Sequence, residues 1–153
     1  MTDEQHLQLA QLNVGRLRAP LESPLIRDFV EGLEPINALA EASPGFVWRL
    51  QTDEGDATAI RPYDDDLVLV NLSVWASVTA LSDFVYRTAH SDFLRRRRDW
   101  FEKPTEPIHC LWWVEHGHRP TVVEAVERLA HLRANGSTDF AFTFRDARDP
   151  VPR

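Results

Sequence analysis

The densest chemistry in the chain lies between positions 86 and 101. Tyr86, His90, Phe93, Leu94, Arg97 and Phe101 stand at offsets of 0, 4, 7, 8, 11 and 15, which on an ideal helix form one lane. A phenol, an imidazole and a guanidinium among aromatic rings would give a pocket wall a polar handle, a proton carrier and an anion clamp. In that reading His90 is a general base and Arg97 holds developing negative charge. Arg97 belongs to the run Arg95 to Arg98. A helix turns by about 100° per residue, so four successive arginines cannot all face water. The competing reading is structural: His90 satisfies a local hydrogen bond, and Arg97 pairs with an acid, as buried charges usually do. A helix break at Ser91 would destroy the lane.

Other residues suit a pocket for a small, largely apolar ligand. Trp48, Trp75, Trp100, Trp112 and Trp113 are five large flat side chains in a short chain. Each is first of all core material, since aromatic residues dominate buried area. Trp112 and Trp113 must point to opposite sides of a strand. Asn13, Gln11, Asn71 and His109 add amides and an imidazole to strand faces, a mixture that suits such a ligand. The turn Glu115-His116-Gly117-His118 offers two histidines at a spacing of two, but no third ligand converges nearby, so no metal site is expected. Cys110 and His109 are strand neighbours that point apart and form no dyad. Nothing matches a phosphate loop, a nucleophile elbow or a dinucleotide fingerprint.

These side chains need elements to hold them. Leu7 to Val14 reads as a strand by alternation. A helix starts near Ser23-Pro24 and stops at Ser43-Pro44-Gly45; Gly32 and Pro35 inside it predict a kink or two short pieces. Phe46 to Gln51, Leu67 to Val74 and Ile108 to Glu115 are further strands. Ser77 caps a helix that either continues past His90 or restarts at Ser91, and reaches about Phe101. Thr121-Val122-Val123-Glu124 is a capping-box pattern that opens a helix ending at Asn135-Gly136. Phe140 to Phe144 alternates and is a candidate last strand. Thr52 to Asp66 is an acidic hairpin or surface loop, read as solvated rather than metal-binding.

The order strand, helix, strand, strand, helix, strand is the ferredoxin-like one. The expected fold class is therefore α+β: an antiparallel sheet with helices on one face. In such a sheet the other face should be polar. Here Leu67, Val68, Leu69, Val70 and Leu72 load both faces of the third strand, and Ile108, Cys110 and Trp112 oppose Leu111 and Trp113 on the fourth. A second copy's sheet would cover that face and make a homodimer around a shared barrel, with His109 and Trp113 facing its interior. The helix at Thr121 to Ala134 is the rival cover.

Composition agrees with one globular domain over residues 1–153, with a core at about 7–144 and an irregular tail at 145–153. Apolar residues make up 43% and charged residues 27% of the 153. A net charge of −7 disfavours nucleic acid as a partner, and no apolar stretch is long enough to cross a membrane. A single cysteine and a start without a signal-peptide pattern lead to an expected cytoplasmic location.

Five motifs together resemble one bacterial family. They are Asn71-Leu72-Ser73-Val74-Trp75, Tyr86-Arg87-Thr88-Ala89-His90, Arg97-Arg98-Asp99-Trp100-Phe101, Leu111-Trp112-Trp113-Val114 and Gly117-His118-Arg119-Pro120-Thr121. The resemblance is to the domain of unknown function 3291 family and runs from about Leu7 to Phe144. That family looks like a branch of the dimeric α/β-barrel superfamily, which includes antibiotic-biosynthesis and haem-degrading monooxygenases. The resemblance implies the same homodimer. In the haem-degrading relatives a Val-Trp strand leads to a helix ending in Ala-His, whose histidine ligates iron. Val74-Trp75 and Ala89-His90 are similar, and Asn13 matches a first-strand asparagine. The catalytic tryptophan of those enzymes falls near Phe84 here.

The residues and the resemblance together lead to an expected monooxygenase-like enzyme for an apolar or aromatic substrate. Its catalytic candidates are His90, Arg97 and Asn13; its substrate-binding candidates are Trp75, Trp113, Asn71, Tyr86, Phe93 and Trp48. No cofactor is expected first, and haem on His90 second. The alternatives are a non-catalytic protein that binds a hydrophobic ligand, haem included, and a structural dimer with a filled interior.

Overall fold

A computed structural model describes residues 7–51, 63 and 65–150. Most of the acidic segment Thr52 to Asp66 lies outside the described residues. Four strands form one antiparallel sheet in the order β2-β3-β1-β4: β1 (Leu7–Arg16), β2 (Phe46–Arg49), β3 (Val68–Trp75) and β4 (His109–Glu115). A 3₁₀ turn (Pro24–Ile26) and α1 (Arg27–Ala42) connect β1 to β2. Helices α2 (Val78–Arg87), α3 (His90–Arg95) and α4 (Arg97–Trp100) connect β3 to β4, and α5 (Val122–Asn135) follows β4. This is the ferredoxin-like α+β arrangement.

The punctuation residues act largely as their chemistry requires. Ser23 accepts a hydrogen bond from the Leu25 amide at 3.2 Å, Ser77 from Ala80 at 3.0 Å and Thr121 from Glu124 at 3.1 Å, each satisfying a free amide of a helix start. Gly45 has φ +84°, and a Cβ there would sit 2.5 Å from that of Ala80, so both backbone and space demand glycine. Two expectations differ. Helix α1 runs uninterrupted through Gly32 and Pro35 rather than as two pieces. Gly32 is there because Phe93 packs where a side chain would stand: a Cβ would lie 1.7 Å from Cζ of that ring. Phe140 to Phe144 forms no strand; Phe142 makes one isolated bridge to Leu111, with amide hydrogen bonds of 2.8 and 2.9 Å.

Strand alternation divides the apolar residues between two faces. The even face carries Ala10, Leu12, Val14, Val70, Leu72, Val74, Cys110, Trp112 and Val114, and packs against Ala125, Leu129 and Leu132 of α5. Every one of these sheet residues is buried within the single chain. The cover for the second apolar face is therefore the chain's own α5, not a second sheet. The reason is visible in α5 itself, whose three buried residues fall on one helical stripe. The odd face carries Leu9, Trp75 and Leu111 and lies under α1 and α2. His109 and Trp113 share that odd face, so they lie on the side of these helices and not in a barrel interior.

Candidate functional site

Between the odd face and α1–α4 lies a cavity of about 410 Å³. Its floor follows from strand register. Trp75 and Trp113 flank Leu9; Ser73 and Leu111 flank Gln11; Asn71 and His109 flank Asn13; Leu69 lies beside Gly15. Two polar rows are thus set between an aromatic end at Trp75 and a glycine end at Gly15, where Phe101 and Arg97 pack close to the backbone.

The polar rows are cross-linked. The Gln11 amide donates to Asn71 Oδ1 at 2.6 Å and to Ser73 Oγ at 2.8 Å. The Trp75 indole donates to the same Ser73 oxygen at 2.9 Å. Gln11 Oε1 is then the acceptor for His109 Nε2 at 3.0 Å, which places the His109 proton on Nε2. Burial, with the nearby charges of Arg97 and His90, pushes the His109 imidazole down to about 4. It is neutral at pH 7. Such a connected network fixes side-chain directions in the cavity floor.

The helical wall is built by a break. Thr88 has extended backbone. Its hydroxyl donates to the Phe84 carbonyl at 2.5 Å and accepts from the His90 amide at 3.2 Å, closing α2 and opening α3. The single lane expected from spacing is therefore not one helix, and the break comes before Ser91. Even so, Tyr86, His90, Phe93, Leu94, Arg97 and Phe101 all line the cavity. Tyr86 stands at the rim, 54% exposed, against Phe144.

His90 Nδ1 lies 3.2 Å from the Val85 carbonyl. A carbonyl only accepts, so Nδ1 carries the proton and Nε2 keeps its lone pair. Burial lowers His90 from its ordinary value, partly offset by that hydrogen bond. The ring packs on Phe84 at 4.9 Å, and Phe84 stacks on Trp75 at 5.1 Å. Arg97 lies 4.8 Å over Phe101 and reaches the Val14 carbonyl at 3.5 Å. Burial lowers its pKa from the ordinary arginine value, but a guanidinium stays charged.

Asn13, Asn71, Trp75 and Phe93 also line the cavity. Trp48 does not; it packs on the α5 side of the sheet. Trp113 shares the odd face but spends its indole proton on the Arg148 carbonyl at 2.9 Å. Sequence reasoning missed Gln11 and Ser73 as the centre of a network. The usable signal was a pair of polar residues at alternate positions on each of two strands, Gln11 and Asn13 on β1 and Asn71 and Ser73 on β3. In the histidine turn, His118 contacts Glu124 at 2.7 Å and His116 contacts Gln8 at 3.2 Å. Among the described residues no group of three metal ligands occurs, and no helix is long and apolar enough to cross a membrane. Burial pushes the Cys110 thiol up to about 12, leaving it unreactive.

A family model described as domain of unknown function (DUF3291) matches residues 8–152. No curated protein matches the chain. Among solved structures, the chain is similar to SnoaB, a cofactor-independent oxygenase from Streptomyces nogalater, at 17% identity and TM-score 0.49, covering 75% of this chain and 96% of that one. PA3566 from Pseudomonas aeruginosa gives 14% and 0.48, over 74% and 98% of the two chains. A DABB-family protein with a ferredoxin-like fold from Mesorhizobium loti gives 16% and 0.42, over 74% and 99%.

Proposed function

We propose that this chain, which belongs to the DUF3291 family, binds a small, largely apolar or aromatic molecule between its sheet and α1–α4 and removes a proton from it with His90. One observation carries the reading. His90 lines a cavity of about 410 Å³, and the Val85 carbonyl at 3.2 Å holds its proton on Nδ1, which leaves Nε2 with a lone pair. A neutral imidazole in an apolar pocket is a general base at pH 7. The amides of Asn13 and Asn71 orient a substrate oxygen and stabilise the charge that develops on it, Trp75 and Phe93 bear on its apolar body, and Arg97 places a positive charge at the end of the pocket.

The reaction that fits is monooxygenation of an electron-rich substrate. Loss of a proton to His90 gives a stabilised carbanion, and dioxygen is the oxidant. A CH₂ group becomes C=O, one oxygen atom enters the product and the other leaves as water. Haem is the second form of this proposal. His90 would hold the iron through Nε2, and the iron would supply oxygen binding. The homodimer rests on the family resemblance alone, since α5 already covers the far face.

The test is oxygen uptake with electron-rich phenols and benzylic ketones. Wild type should consume oxygen, and His90→Ala should lose about 10²-fold or more of the rate, as expected for removal of a general base. Equal rates in the two proteins overturn the role of His90. A haemin titration separates the second form: a Soret shift present in wild type and absent in His90→Ala supports ligation.

A further inference from the structure

The four-arginine run divides by partner. Arg95 pairs with Asp92 at 3.0 Å, and Arg96 with both Asp28 and Asp99 at 3.0 Å. Arg98 carries its side chain outward. Arg97 turns into the cavity, and among the described residues it has no ion pair; its hydrogen bond is the long one to the Val14 carbonyl. A half-buried cation without an anion is an unfavourable arrangement that a ligand can relieve.

The rest of the cavity does not compensate it. Among the described lining residues there is no aspartate or glutamate. Arg49, also on the lining, is held by Glu41 at 2.8 Å. Both lining imidazoles are kept neutral by burial. Arg97 is therefore the cavity's one uncompensated charge among the described residues, which matches a monoanion rather than a phosphate dianion.

The backbone makes room for the guanidinium. A Cβ on Gly15 would lie 3.1 Å from Arg97 Nη2 and 2.7 Å from the Phe101 ring. Gly15 is two residues along β1 from Asn13, a step of about 7 Å. An acid seated at Arg97 would therefore carry its body over the Asn13 and Asn71 row, toward Trp75.

We infer that the ligand is an apolar or aromatic carboxylic acid, its carboxylate taken by Arg97 beside Gly15 and its body lying along the strand toward Trp75. This rests on the reading of the cavity as a small-molecule site. A planar carboxylate suits the guanidinium fork, which can hold both of its oxygens at once.

The experiment is calorimetric titration with two probes of one shape, naphthalene-2-carboxylate and naphthalene-2-carboxamide. Wild type should bind the acid about tenfold or more tightly than the amide, a difference of about 1.4 kcal/mol. Arg97→Gln should lose that preference while keeping the amide affinity, and Arg98→Gln should keep both. Arg97→Lys, which retains the charge but not the fork, should keep part of the preference, and it replaces Arg97→Gln if that variant does not fold. Equal binding of both probes by wild type overturns the carboxylate inference and leaves the cavity reading standing. A preference that survives in Arg97→Gln overturns the assignment to Arg97. Binding of neither probe overturns the cavity reading together with the inference.

Discussion

His90 and His109 line the same cavity with opposite tautomers, and that difference sets what each can do. His90 keeps Nε2 free, whereas His109 spends its Nε2 proton on Gln11. Any rate that depends on His90 as a base should rise with pH through a midpoint below the ordinary 6.5 and be level at neutrality. A pH profile with its midpoint above 6.5 would contradict the burial of that ring. His109 bears on stability instead. Its folded value of about 4 lies below the ordinary 6.5, so between these limits the unfolded chain takes up a proton that the fold refuses. Stability is then full above 6.5 and falls as pH drops toward 4, by at most about 3–4 kcal/mol. Urea unfolding at several pH values should show this slope, and His109→Gln should flatten it. At this scale the sequence showed His90, Arg97, Asn13 and Asn71 as candidates. It did not show the Gln11 network, because contacts across strands depend on register, which one strand's alternation does not give.

At the scale of elements, the informative places are those where local preference lost to packing. Gly32 in mid-helix predicted a break, yet α1 is continuous because the missing side chain admits Phe93. Gly32→Ala should lower stability by about 1–3 kcal/mol through overpacking, despite its better helix propensity. In a Phe93→Ala background the same change should be neutral or stabilising, by up to about 1 kcal/mol. Thermal melts of the four proteins check this; equal losses in both backgrounds would rule out the Phe93 contact as the cause. Thr88 is the converse case. No spacing rule marked it as a helix break, since a threonine acts as a double cap only where both neighbours are positioned. The ferredoxin-like order was legible because alternation and caps mark β1 to β4 and α5 clearly. The last strand was not, because alternation at Phe140 to Phe144 had no partner edge beyond a single bridge.

For the whole molecule, the decisive feature is that one chain covers both faces of its own sheet. Loading on both faces of β3 and β4 was legible in the sequence, but the choice of cover was not. A helix and a second sheet present similar apolar stripes, and only packing discriminates them. Because α5 is the cover, Leu129→Ala should cost about 2–5 kcal/mol, the usual range for a fully buried leucine. If this cover completes the fold, the melting temperature should also be independent of protein concentration. A midpoint that rises with concentration would show that association contributes to the fold.

The cavity under α1–α4 is reached most directly by NMR shift mapping with naphthalene-2-carboxamide, a probe that does not depend on Arg97. The amides of Asn13, Asn71, His90 and Phe93 should shift together and saturate with one dissociation constant, while those of Leu129 and Leu132 on α5 stay unmoved. Shifts confined to the α5 side, or none at millimolar probe, would show that the space between the sheet and α1–α4 is not a binding site.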